Sequence, residues 1–139
     1  MIWKHTLWVA AAALSLAGCM SQGDTKASDA AMAQFYQQVA AKDYGGIWDA
    51  SAPGFQTATP RDTFVGMMQR IDRKLGVCQP PVKQFNFHIN VGTDGTTISQ
   101  GWQRTCANGP LAEQVVVLIA GGKAKILGYN AQSPLLLTD

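Results

Sequence analysis

Three cysteines carry most of the covalent chemistry open to this chain: Cys19, Cys78 and Cys106. Cys19 closes a segment that reads as an export signal. Lys4 and His5 supply a cationic start, residues 6–16 are almost wholly apolar, and Ala17 and Gly18 are small. The run from Thr6 to Gly18 is 13 residues, against about 20 needed to cross a bilayer as a helix. It therefore reads as a cleavable signal and not as a permanent span. Export also sets the redox context. Two further cysteines in an oxidising compartment predict one disulfide, Cys78–Cys106. The chain has no C-x-x-C, so neither thioredoxin-like exchange nor a zinc knuckle is expected.

Other chemistry is sparse. Beyond the signal the sole histidine is His88, and no acid or thiol is forced beside it, so it reads as a solvated side chain. The sequence has no G-x-S-x-G, no H-E-x-x-H and no phosphate loop. No acidic cluster has calcium-loop spacing. No catalytic residue, metal site or cofactor is expected. A net charge of +2 on 139 residues excludes a strongly basic nucleic-acid binder. With 47% apolar and 14% charged residues, the chain has the composition of one folded domain.

Leu16-Ala17-Gly18-Cys19 resembles the lipobox of bacterial lipoproteins. That resemblance implies cleavage before Cys19, a diacylglycerol on its thiol and usually an acyl group on its new amine. Met20, in place of Asp, implies the outer membrane. The expected layout is a signal peptide over 1–18, a lipidated Cys19 with a flexible tether to residue 28, and one domain over 29–139. The protein would be lipid-anchored at the outer membrane, facing the periplasm. Two or three acyl chains make a stable anchor where one binds marginally.

The elements that must carry these residues read clearly. Ser28 or Asp29 caps a first helix, in which Met32, Phe35, Tyr36, Val39 and Ala40 share a face. Tyr44, Ile47 and Trp48 repeat the spacing in a short second helix closed by Pro53-Gly54. Thr59-Pro60-Arg61-Asp62 opens a third, with Phe64, Met67, Met68, Ile71 and Leu75 on one face and Gly76 at its end. Arg70, Arg73 and Lys74 crowd its last turn, as an anion site or as a solvated face that complements the helix dipole.

After Pro80-Pro81 the period becomes two. Lys83, Phe85, Phe87, Ile89 and Val91 alternate with polar residues. Turns at Asp94-Gly95, Asn108-Gly109 and Gly121-Gly122 predict four antiparallel strands, near 82–91, 96–106, 111–120 and 123–131. With two-residue loops there, Phe87 faces Trp102, Arg104 faces Glu113 and Val117 faces Ile126. Cys106 falls opposite residue 83, within reach of Cys78. The alternate residues Val116, Leu118, Leu127 and Tyr129 point outward as an apolar patch. Either a partner covers that patch or the C-terminal Pro134-Leu135-Leu136-Leu137 folds back over it.

Three helices followed by an antiparallel meander make an α+β domain. The order resembles the cystatin-like cones related to nuclear transport factor 2. Ile47-Trp48, Lys74-Leu75-Gly76 and Leu127-Gly128-Tyr129-Asn130 resemble a family of small uncharacterised bacterial lipoproteins. Enzymes of related cone folds hold an Asp, Tyr or His inside the cone, and Tyr36, Tyr44 and Asp49 could line such a pocket. Capping and core packing explain those three residues more simply. The function expected is a non-catalytic binding or interaction module, with an envelope immunity or inhibitor protein as its narrower form. Its partners would be the membrane through the lipid, and a second copy or an envelope protein. The alternative is a small-ligand pocket protein or a weak enzyme of the cone class.

Overall fold

The computed structural model describes residues 22–139, and of Gln22 and residues 85–88 it describes the backbone only. The signal, Cys19 and the side chains of Phe85, Phe87 and His88 lie outside the described residues. Four helices, α1 (Gln22–Ala40), α2 (Tyr44–Ala50), α3 (Pro53–Ala58) and α4 (Arg61–Leu75), precede four strands. The strands are β1 (Val82–Gly92), β2 (Gly95–Cys106), β3 (Gly109–Ala120) and β4 (Lys123–Gln132), and a 3-10 turn follows at Pro134–Leu136. They form one antiparallel sheet in the order β1-β2-β3-β4. This is the expected α+β architecture.

The helical layer departs from expectation in three places. Helix α1 does not begin after Ser28: it already runs through Gln22, the first described residue. Ser28 is fully buried inside it, and its Oγ accepts a 2.7 Å hydrogen bond from Gln100 Nε2. A tertiary partner has turned a capping residue into a core residue, and Asp24 sits in the first turn instead, where the dipole favours it. Pro53-Gly54 ends α2 as expected but also starts α3, with Pro53 supplying the fixed φ of a first turn. Thr59 closes α3 and does not cap α4, which begins after Pro60 with no side-chain cap. The apolar face of α4 is as read: Phe64, Met68, Ile71 and Leu75 are buried. Each contributes about 1.5–3 kcal/mol of hydrophobic transfer free energy.

The strands match the expected spans, but two registers are shifted. Gly92 pairs with Gly95 and Cys106 with Gly109, so the loops are Thr93-Asp94 and Ala107-Asn108. Each glycine is the first strand residue and not part of the loop. Gly95 shows why: its φ is +133°, and an added Cβ would lie 2.3 Å from the Ile119 carbonyl oxygen. Between β2 and β3 the shift is two residues throughout, so the inward face is preserved; along β1 two further one-residue shifts, between His88 and Asn86 and between Phe85 and Lys83, bring Lys83 and not Phe87 opposite Trp102. Ile98, Leu111, Val115, Val117 and Ile119 form the sheet side of the core. Trp102 pairs with Glu113, and Ile89 with Ile98. Ile89 and Val91, expected in the core, are 44% and 76% exposed. The far end of β1 carries the inward phase beyond what the helices cover.

The third hairpin keeps its expected register from Ala120–Lys123 to Val117–Ile126. A bulge then intervenes, and Val116 pairs with Gly128 and Val115 with Tyr129. That one-residue slip turns Tyr129 to the core side. Its place in an outward patch is thereby corrected.

Candidate functional site

The inward phase of β3 reads Leu111, Glu113, Val115, Val117, Ile119, with one carboxylate among apolar side chains. Glu113 is 3% exposed. From β2, Arg104 lies two pairs along, opposite Leu111 and not opposite Glu113 as expected, and reaches Glu113 diagonally. Its Nε donates to Oε1 at 2.7 Å and its Nη2 to Oε2 at 3.0 Å, a bidentate pair. From α1, Tyr36 Oη donates to Oε1 at 3.2 Å. From β4, the bulge delivers the Tyr129 hydroxyl to Oε2. Four donors thus occupy the roughly four lone-pair positions of one carboxylate.

An aromatic shell holds the cluster. Phe35 packs on Tyr36 at 5.0 Å and on Tyr129 at 5.6 Å between ring centroids, and Tyr36 packs on Trp102 at 5.3 Å. The Arg104 guanidinium lies 5.5 Å from the Tyr36 ring centroid. Burial, and then the Glu113 charge, push both the Tyr36 and Tyr129 phenols well above the usual tyrosine range. Both stay neutral donors. A carboxylate held this way has no free acceptor for a substrate proton, so the cluster is poorly suited to general base work.

Arg104 and Tyr36 also border a cleft of about 360 Å³. Val39 from the end of α1, Met68 and Ile71 from α4 and Pro80 from the α4–β1 connection give it an apolar lining. Tyr44 lies on its wall, its phenol raised by burial and by the nearby Asp72 charge. A Lys42–Asp72 ion pair of 3.0 Å ties the α1–α2 turn to α4 beside it. Lys42 sits in the left-handed region, φ 56°, where it turns the chain into α2. The Cys78–Cys106 disulfide fastens the wall formed by residues 76–81 to the end of β2. Backbone bonds from Gln79 N to Thr105 O and from Ala107 N to Val77 O, both 2.8 Å, flank it. The volume and lining are those of a small-ligand pocket or a socket for a partner's side chain.

The sequence-derived candidates separate in space. Tyr36 and Tyr44 reach the cleft. Asp49 does not: it is exposed and bound by Arg61 at 3.0 Å, which holds its carboxyl below the usual range. Val116 and Leu118 are half-buried on the sheet's outer phase. Leu127 stands at the bulge beside Gly54 of α3, and Tyr129 is inside. The C-terminal turn packs on α4. There Arg70 donates to the carbonyls of Leu136 and Thr138, and Lys74 to that of Thr138. The basic last turn of α4 is thus a clamp for the tail, which neither sequence reading of it foresaw. Among the described residues no group of His, Cys, Asp and Glu could hold a metal ion, and no helix is long and apolar enough to cross a membrane.

The burial of Glu113 has one mark in the sequence, a carboxylate in the apolar phase of a strand, and its ion pair with Arg104 follows from the hairpin that joins β2 and β3.

No protein-family model matches the chain, and no curated protein is similar to it. Among solved structures it is similar to Aln2 from a Streptomyces species, at 14% identity and a TM-score of 0.47, over 78% of this chain and 92% of that one. It is also similar to Bd1075 of Bdellovibrio bacteriovorus, at 12% identity and a TM-score of 0.45, over 78% of this chain and 42% of that one. At these scores neither lends this chain an activity.

Proposed function

We propose that this chain is a lipoprotein of the bacterial outer membrane whose domain is a non-catalytic binding module, with the cleft beside Arg104 as its binding site. The saturation of Glu113 carries the non-catalytic reading. It is the one buried carboxylate among the described residues, and four donors fill it. The Leu16-Ala17-Gly18-Cys19 motif after a short apolar run supports the anchor. The likeness to small uncharacterised lipoproteins with a cystatin-like cone belongs to the same reading. Val116 and Leu118 offer a second surface, for another copy or an envelope protein.

Labelling cells with an alkyne fatty acid tests the anchor: the native protein takes the label and Cys19→Ala does not. Equal labelling of both overturns it. The binding reading is tested by recovering the mature protein from envelope extract, with Ile71→Glu in the cleft as the comparison. A specific partner or ligand held by the native protein and lost from a folded Ile71→Glu variant is expected. Turnover of a ligand by the native protein, abolished in that variant, would replace this reading with the pocket-enzyme alternative, which the cleft's volume favours.

A further inference from the structure

The chain fixes how far the cleft can lie from the lipid, an inference that rests on the proposed acylation of Cys19. Cys19 and Gln22, the first described residue of α1, are three peptide steps apart, a reach of at most about 11 Å. Helix α1 then runs unbroken to Ala40. Val39 and Ala40, at its far end, line the cleft. At 1.5 Å per residue the cleft begins about 26 Å along the helix from Gln22.

The helix cannot swing away from the body. Ser28 accepts from Gln100 on β2, Asp29 pairs with Lys83 on β1 at 3.2 Å, and Met32, Phe35 and Tyr36 are packed into the core. Nor is it built to lie in a membrane surface. An interfacial helix turns aromatic and large aliphatic residues toward lipid. The exposed residues of α1 are Gly23, Lys26, Asp29, Ala30, Ala33, Gln34, Gln37 and Ala40, while its large apolar residues face the sheet.

We infer that α1 is a strut that stands the domain off the membrane and holds the cleft in the aqueous phase. The headgroup layer is only about 5–7 Å deep on each side, far short of the strut. With α1 upright the cleft lies beyond that layer, and its occupant arrives from water and not from within the leaflet. Val77, on the cleft wall, is 86% exposed at the same end of the strut.

A photo-crosslinking amino acid placed at Gly23 or at Val77 tests this. The full protein, with acylation of Cys19 confirmed by intact mass, is reconstituted into vesicles of phosphatidylethanolamine and phosphatidylglycerol and irradiated. Lipid adducts are counted by mass spectrometry, and circular dichroism checks the fold. Adducts at Gly23 and at least about tenfold fewer at Val77 are expected from the distance. Equal adducts at the two positions, or none at Gly23, on acylated protein overturn the strut and leave the anchor standing. A protein that carries no acyl group at Cys19 overturns both.

Discussion

Replacing Glu113 by alanine should be the most damaging single change in the sheet. The Glu113 side chain is fully buried and that of Arg104 is 9% exposed. Removing the carboxylate strands a guanidinium that cannot lose its proton, and breaking such a pair costs about 3–5 kcal/mol. Tyr36 and Tyr129 also lose their acceptor, and each unpaired hydroxyl adds about 1–3 kcal/mol where water cannot replace the carboxylate. Arg104 borders the cleft and can draw water from it, so the lower figure is the safer one for the whole change. Glu113→Gln keeps the shape and one acceptor, but it too leaves the guanidinium without a counter-charge and turns an amide donor toward groups that themselves donate, so its loss should approach that of alanine. The assay is urea unfolding followed by circular dichroism at pH 7. With a slope of about 1.5 kcal/mol per molar, a loss of about 3 kcal/mol in Glu113→Ala should lower the midpoint by about 2 M. A loss under about 1 kcal/mol would refute the structural role assigned to the cluster, on the scale of an ordinary surface change. If that stable variant had also lost its ligand or an activity, Glu113 would be a functional carboxylate, and the non-catalytic reading would fall with it.

Two other outcomes follow from the same geometry. All three tyrosines, Tyr36, Tyr44 and Tyr129, have phenols raised by burial and by nearby carboxylates. A raised phenol favours the folded state fully below the unfolded value of about 10, and that contribution is lost as pH climbs toward the native value. Absorbance at 295 nm should therefore show Tyr36 and Tyr129 un-ionised in the native protein at about pH 10.5, where unfolded tyrosines are largely ionised; more than one phenolate per chain there would contradict the burial described. For the disulfide, protein made in an oxidising compartment should gain the mass of two hydrogens on reduction. With a sequence separation of 28 between the cysteines, the Cys78→Ala/Cys106→Ala pair should be less stable by about 3.5 kcal/mol in the chain-entropy account. Free thiols in native material would remove this bridge from the cleft wall.

Periodicity alone determined the order of elements and which face of each is apolar. The face of α4 needed only its 3.6-residue spacing. The inward phase of β3 survived a misplaced register because the shift was an even number of residues. Cysteine count and spacing likewise pointed to Cys78 and Cys106. What tertiary structure decided were the positions where local signals compete. Ser28 is a good cap in isolation, but Gln100, distant in sequence, makes it a buried partner inside a longer helix. Gly95 and Gly109 look like loop residues until the neighbouring backbone requires a positive φ one place later. The bulge beyond Ile126 reverses the face of Tyr129 with no mark in the alternation. The Glu113 cluster draws on three strands and a helix, so no local window contains it. Its favourable energy exists only when four distant donors meet one carboxylate away from water, and that condition belongs to the folded chain.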